Sequence, residues 1–99
     1  MRTDQTISVS CRSQADGWAC EVKVGEDAAA TEHQVTLDRD LLQRLRPGAT
    51  DPEQLVRDSF AFLLEREPRE SILRSFELPV IERYFPDWES VIRSPAAGA

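Results

Sequence analysis

Glycine, cysteine, histidine, methionine and lysine are all scarce in this 99-residue chain, which has four Gly, two Cys, one His, one Met and a single Lys against eleven Arg. Four scattered glycines build neither a phosphate-cradling loop nor a dinucleotide-binding fingerprint, since both require glycine at several fixed positions. A Gly-x-Ser-x-Gly nucleophile elbow is absent as well. Two cysteines are too few for a disulfide-stapled scaffold, and "MRTDQTISVS" lacks the apolar stretch of a signal peptide. A reducing, cytoplasmic setting with Cys11 and Cys20 as free thiols is therefore expected. No apolar run approaches the roughly 18 to 20 residues of a membrane-spanning helix. Positive charge is also in deficit. A formal net charge of -6 works against nonspecific attraction to nucleic-acid phosphates or anionic lipid.

What remains suits one small globular domain, with 40% of residues hydrophobic and 30% charged. A chain of this size buries only about 60 to 65% of the surface it exposes when unfolded, so a homo-oligomeric interface would add useful stability. In "TISVSC", Ile7, Val9 and Cys11 alternate with polar residues, and "WACEVKV" repeats the pattern through Trp18, Cys20, Val22 and Val24. This period of two marks strands with one buried face, and Asp16-Gly17 between them is a strong hairpin signal. "TEHQVTL" supplies a third strand, giving a three-stranded antiparallel meander over the first 37 residues. If "QADG" forms the hairpin loop, Cys11 falls opposite Cys20, Val9 opposite Val22 and Ile7 opposite Val24. If Val24 pairs with Thr31 across the next loop, His33 sits beside Val22.

The period then changes to that of helices. "LDRDLLQRLRPG" carries Leu41, Leu42 and Leu45 on one stripe, with Asp38 as N-cap and Pro47-Gly48 as the stop. In "TDPEQLVRDSFAFLLERE", Asp51 can cap, Pro52 suits the first helical position and Gln54 completes a capping box. Phe60, Leu63 and Leu64 of that helix are the natural cover for the sheet. Prolines at 68, 79 and 86 divide the remainder into short pieces, each of which can open as a helix. The fold class is therefore α+β in the order β-β-β-α-α with short C-terminal helical segments. It forms a single domain over residues 1–93, and 94–99 are a disordered tail.

Six of the seven aromatic residues lie in the second half of the chain: Phe60, Phe62, Phe76, Tyr84, Phe85 and Trp88. Stacking aromatics interleaved with arginine can hold single-stranded nucleic acid. Here, however, residues 52–93 hold six Arg against nine acidic residues, and the charges recur three or four apart as on a solvated helix face. Nucleic acid is thus an unfavoured partner. The apolar surplus after Leu64 either wraps around the second helix as an extended core or in part forms a patch that meets a partner, and for that second case Phe76, Tyr84, Phe85 and Trp88 are the candidate interface residues. Trp88 and Phe85 flank Pro86 and are the expected anchors.

Cys11, Cys20 and His33 could gather on one face, but three ligands at these spacings match no common zinc pattern, and a structural role, with the cysteines as ordinary small core residues, is the reading preferred. His33, the lone histidine, has no carboxylate or nucleophile on its own side of the strand, because Glu32 and Gln34 project the other way. No catalytic, cofactor-binding or metal residues are therefore assigned.

The stretch "TDPEQLVRDSFAFLLEREPRESILRSFELPVIERYFPDW", about residues 51–88, resembles a family of short, uncharacterised bacterial proteins, and that resemblance implies no activity and no site residues. The order of three strands before a helix is similar to HicB-type antitoxin domains in topology alone. The reading that emerges is a non-enzymatic cytoplasmic protein that binds a protein partner or itself. The alternative is a nucleic-acid-associated regulator of the antitoxin kind.

Overall fold

The computed structural model describes residues 6–26 and 28–93, so the tail expected over 94–99 lies outside the described residues. Three strands come first: β1 (Ile7–Ser13), β2 (Gly17–Val24) and β3 (Thr31–Asp38). They form the antiparallel meander; the pairings Cys11↔Cys20, Val9↔Val22 and Ile7↔Val24 are those that a "QADG" loop requires, and Val24↔Thr31 across the next loop sets Val22 opposite His33. Gly17 is needed where β2 begins, because a Cβ there would clash with the Leu37 carbonyl oxygen. The alternation predicted from sequence appears in burial. Cys20, Val22, Val24, Val35 and Leu37 face the core, while Glu21, Lys23, Glu32 and Gln34 face solvent.

Helix α1 (Arg39–Leu45) follows directly, with the Asp38 carboxylate accepting a hydrogen bond from the Leu41 amide and Leu41, Leu42 and Leu45 turned inward. Helix α2 (Glu53–Leu64) buries Leu55, Val56, Ser59, Phe60, Phe62 and Leu63. Asp51 does bond the Glu53 amide, but Gln54 does not complete a capping box; its amide reaches forward to Asp58. Arg46 ties three helices together: its guanidinium bonds Asp58 on α2 at 2.9 Å and the Ile92 carbonyl at 3.2 Å.

The segment after Pro68 departs from expectation. A single 3₁₀ turn at Arg69–Ser71 is followed by a short strand, β4 (Ser75–Glu77), where a helix was expected. This strand pairs parallel with β3, so the sheet is mixed and runs β1-β2-β3-β4. Unpaired ladder groups on the outer edge of β3 explain the change. Gln34 donates its amide to the Arg74 carbonyl at 2.7 Å, and His33 Nδ1 lies 2.8 Å from the Leu73 carbonyl. A helix over 72–77 would satisfy its own backbone and leave these partners empty. A second 3₁₀ turn (Leu78–Val80) leads into α3 (Ile81–Tyr84), and α4 (Trp88–Arg93) closes the described chain.

The helices cover one face of the sheet, and the core between the layers runs from Val22 and Val35 through Phe60 to Leu78, Ile81, Trp88 and Ile92. The opposite face is open. Its hollow, about 530 Å³, is lined by Ser8, Ser10, Glu21, Lys23, Glu32 and Arg74 among others, a mixed-charge surface with no aromatic side chain. No helix among the described residues is long and apolar enough to cross a membrane.

Candidate functional site

Two places in this fold bring together residues singled out by the sequence. In the first, Cys11 and Cys20 are joined in a disulfide, which corrects the expectation of free thiols. The physical reason lies in the register. Gln14 donates to Gly17 O, and Gly25 donates to Thr6 O, at the two ends of the β1–β2 ladder. Counting inward from either end makes Cys11↔Cys20 a non-hydrogen-bonded pair, the position where facing side chains of an antiparallel ladder are closest. Two thiols held there on the same face need no backbone movement to bond.

His33 does not join them. It is buried, with Nε2 2.8 Å from Thr31 Oγ1, Nδ1 2.8 Å from the Leu73 carbonyl and its ring against Phe60 at 5.3 Å. A carbonyl only accepts, so Nδ1 carries a proton, and in the neutral ring Nε2 accepts from the Thr31 hydroxyl. Nδ1 thereby ties β3 to the segment before β4, while Nε2 is engaged within β3 itself. Among the described residues no three His, Cys, Asp or Glu side chains converge as metal ligands.

The second place is an apolar groove of about 340 Å³ between the β4 segment and α3. Leu73 and Phe76 form one bank, Val80, Tyr84 and Phe85 the other, and Leu63, Ile72 and Ile81 lie beneath. Among the described residues, Glu67 is its only charged lining residue. Of the four interface candidates, three meet here. Tyr84 is 65% exposed, whereas Phe76 and Phe85 are half-buried, the latter edge-on to Phe62. Leu73, not among the four, is 48% exposed and completes the surface.

Trp88 is elsewhere, and its assignment as an anchor is corrected. It is 0% exposed and donates its indole N–H to Ser59 Oγ at 3.1 Å in the space between α2 and α4. Pro86 does not fling it outward. The turn there is closed by a Trp88 N–H bond to the Phe85 carbonyl at 2.9 Å, and α4 then starts with Trp88 facing in. A buried serine in an otherwise apolar helix face, Ser59 within "VRDSFAF", was the available sign that a buried donor required a partner.

The chain has no significant match among protein-family models, curated proteins or solved structures. Neither the likeness of residues 51–88 nor that of the strand order to HicB-type domains gains support from these comparisons.

Proposed function

We propose that the chain is a non-enzymatic interaction module that receives an apolar partner surface, in the simplest case a second copy of itself, in the groove between β4 and α3. One observation carries this reading: Leu73 and Tyr84, 48% and 65% exposed, stand on facing banks of an apolar groove beside the half-buried Phe76 and Phe85. Single exposed apolar residues are ordinary, but a contiguous set around a concavity is the usual form of a binding surface. The state of His33 also favours a module without catalysis, because its two ring nitrogens are engaged within the chain and neither faces a substrate. Within this reading the module works in the cytoplasm, the setting suggested by its acidic composition.

Sedimentation of the wild type beside Tyr84→Arg and Leu73→Arg tests the proposal. The wild type should form a dimer with increasing concentration, and both variants should remain monomeric with unchanged circular dichroism. A photo-cross-linker placed at Leu73 should join two chains, whereas one at Lys23 on the open sheet face should not. A wild type that stays monomeric at high concentration and cross-links equally from both positions would overturn the reading.

A further inference from the structure

The covalent tie between β1 and β2 is asymmetric. β1 is the outermost strand of the sheet and Cys11 on it is half-buried, whereas Cys20 on the interior strand β2 is 1% exposed, with β3 on its other side. Thiol–disulfide exchange needs a thiolate to approach one sulfur in line with the S–S bond, and here that bond joins β2 to β1. In-line approach to Cys11 Sγ comes from the side of β1, beyond which no strand lies among the described residues, while approach to Cys20 Sγ comes from the side of β3, where Val35 is packed opposite it. Helix α2 reaches the edge near Ile7, where Arg57 Nε lies 3.4 Å from the Ile7 carbonyl, four residues away from Cys11.

We propose that Cys11–Cys20 is a reversible exchange site for low-molecular-weight monothiols, entered through Cys11, and that it latches the C-terminal half of β1 to β2. In the first step a thiolate RS⁻ forms an R–S–S–Cys11 bond as the Cys11–Cys20 bond breaks, and the electron pair leaves on Cys20 Sγ, which takes up a proton. A second RS⁻ attacks the R-bearing sulfur, releasing RSSR and a Cys11 thiolate that is protonated in turn. Two monothiols are oxidised and one protein disulfide is reduced. The reduced chain keeps its fold, because the β1–β2 ladder and the Arg57 contact at Ile7 do not depend on the bond. The edge beyond Val9 is released from its tether and opens more often, since the disulfide closes a short loop whose entropy otherwise favours separation. This device rests on the disulfide alone and is independent of the groove.

The test uses the full chain with glutathione as the probe. Mixtures of reduced and oxidised glutathione should interconvert the two forms of the wild type. In Cys20→Ala, glutathione should be found on Cys11, whereas Cys11→Ala should leave Cys20 unmodified in the folded chain. In wild type reduced with dithiothreitol, the amides of Ser10 and Arg12, which bond to β2, should exchange with deuterium about tenfold or more faster than in the oxidised form. Those of Val22 and Val35, which join β2 to β3, should keep their rates. Glutathione on Cys20 in place of Cys11, a bond that resists glutathione altogether, unchanged exchange on reduction, or unfolding of the whole chain on reduction would each overturn the proposal. The wild-type measurements decide the matter even if a cysteine variant fails to fold.

Discussion

The hydrogen bond from Trp88 Nε1 to Ser59 Oγ offers a sharp measurement of what holds the C-terminal helix in place. Both residues are 0% exposed, and the bond spans 3.1 Å between α2 and α4. Ser59→Ala removes the acceptor but leaves the indole N–H buried, and a stranded donor of this kind costs about 1 to 3 kcal/mol. Trp88→Phe removes the donor together with part of the ring. Its own cost is mainly that of the space left behind, about 1 to 3 kcal/mol, since the Ser59 hydroxyl can turn to a carbonyl one turn back in α2. In the Trp88→Phe background, Ser59→Ala should therefore cost under about 0.5 kcal/mol, giving a coupling energy of about 0.5 kcal/mol or more. Against a total stability of about 5 to 15 kcal/mol for a domain of this size, these differences are readily resolved. Urea denaturation followed by far-ultraviolet circular dichroism is the appropriate assay, because Trp18 would complicate fluorescence. Additive costs in the two backgrounds would refute the claim that this bond, and not packing alone, fixes α4. Trp88→Ala should lose about 3 to 5 kcal/mol, the cost of emptying a core site and not of removing an interface residue.

Other sites allow shorter tests. Gly17→Ala should destabilise the chain by about 1 to 3 kcal/mol in the same denaturation assay, because the new methyl clashes with the Leu37 carbonyl oxygen and the β2–β3 ladder must shift. Arg46→Met should cost about 1 kcal/mol by losing the bonds to Asp58 and Ile92 while keeping the aliphatic stem, and raising the salt concentration should shrink the difference from wild type only slightly, since the Arg46 side chain is 17% exposed. His33→Phe should leave the β1–β2 amides protected while accelerating deuterium exchange at Gln34 and Phe76, because the bond to the Leu73 carbonyl is lost.

The meander, its register and the inward faces of α1 and α2 were legible because each rests on local signals: a period of two, an Asp-Gly turn, an Asp cap. The disulfide was implicit in the same register, since Cys11 and Cys20 were placed opposite and on one face. What obscured it was a compartment argument drawn from cysteine number, which concerns where proteins operate and carries no geometry. Strand β4 was not legible for a different reason. Ile72 and Phe76 are four apart, as on a helix, but they also lie on one side of an extended run with Arg74 between them. The choice was made by the unpaired edge of β3, some forty residues earlier in the chain. The burial of Trp88 was not legible because its place beside Pro86 does not set its direction, and a single turn bond suffices to swing the indole inward.

The candidate site is a consequence of that same capture of β4. Had residues 72–77 formed a helix, Leu73 and Phe76 could have folded into a continuous apolar stripe with the residues after Pro79. As a parallel strand beside β3, the segment turns Phe76 toward Phe60, with ring centroids 6.0 Å apart, and the carbonyls of Leu73 and Arg74 toward His33 and Gln34. An apolar groove then lies between this segment and α3, lined by Leu73 and Phe76 from the first and Tyr84 and Phe85 from the second. The groove is thus bounded by elements fixed from behind, one by His33 and the β3 ladder and the other by Ile81 in the core, which leaves the banks at Leu73 and Tyr84 pre-positioned. A surface held in place before binding loses little freedom on meeting a partner, and that is the physical ground for placing the interaction here and not on the open, mixed-charge face of the sheet.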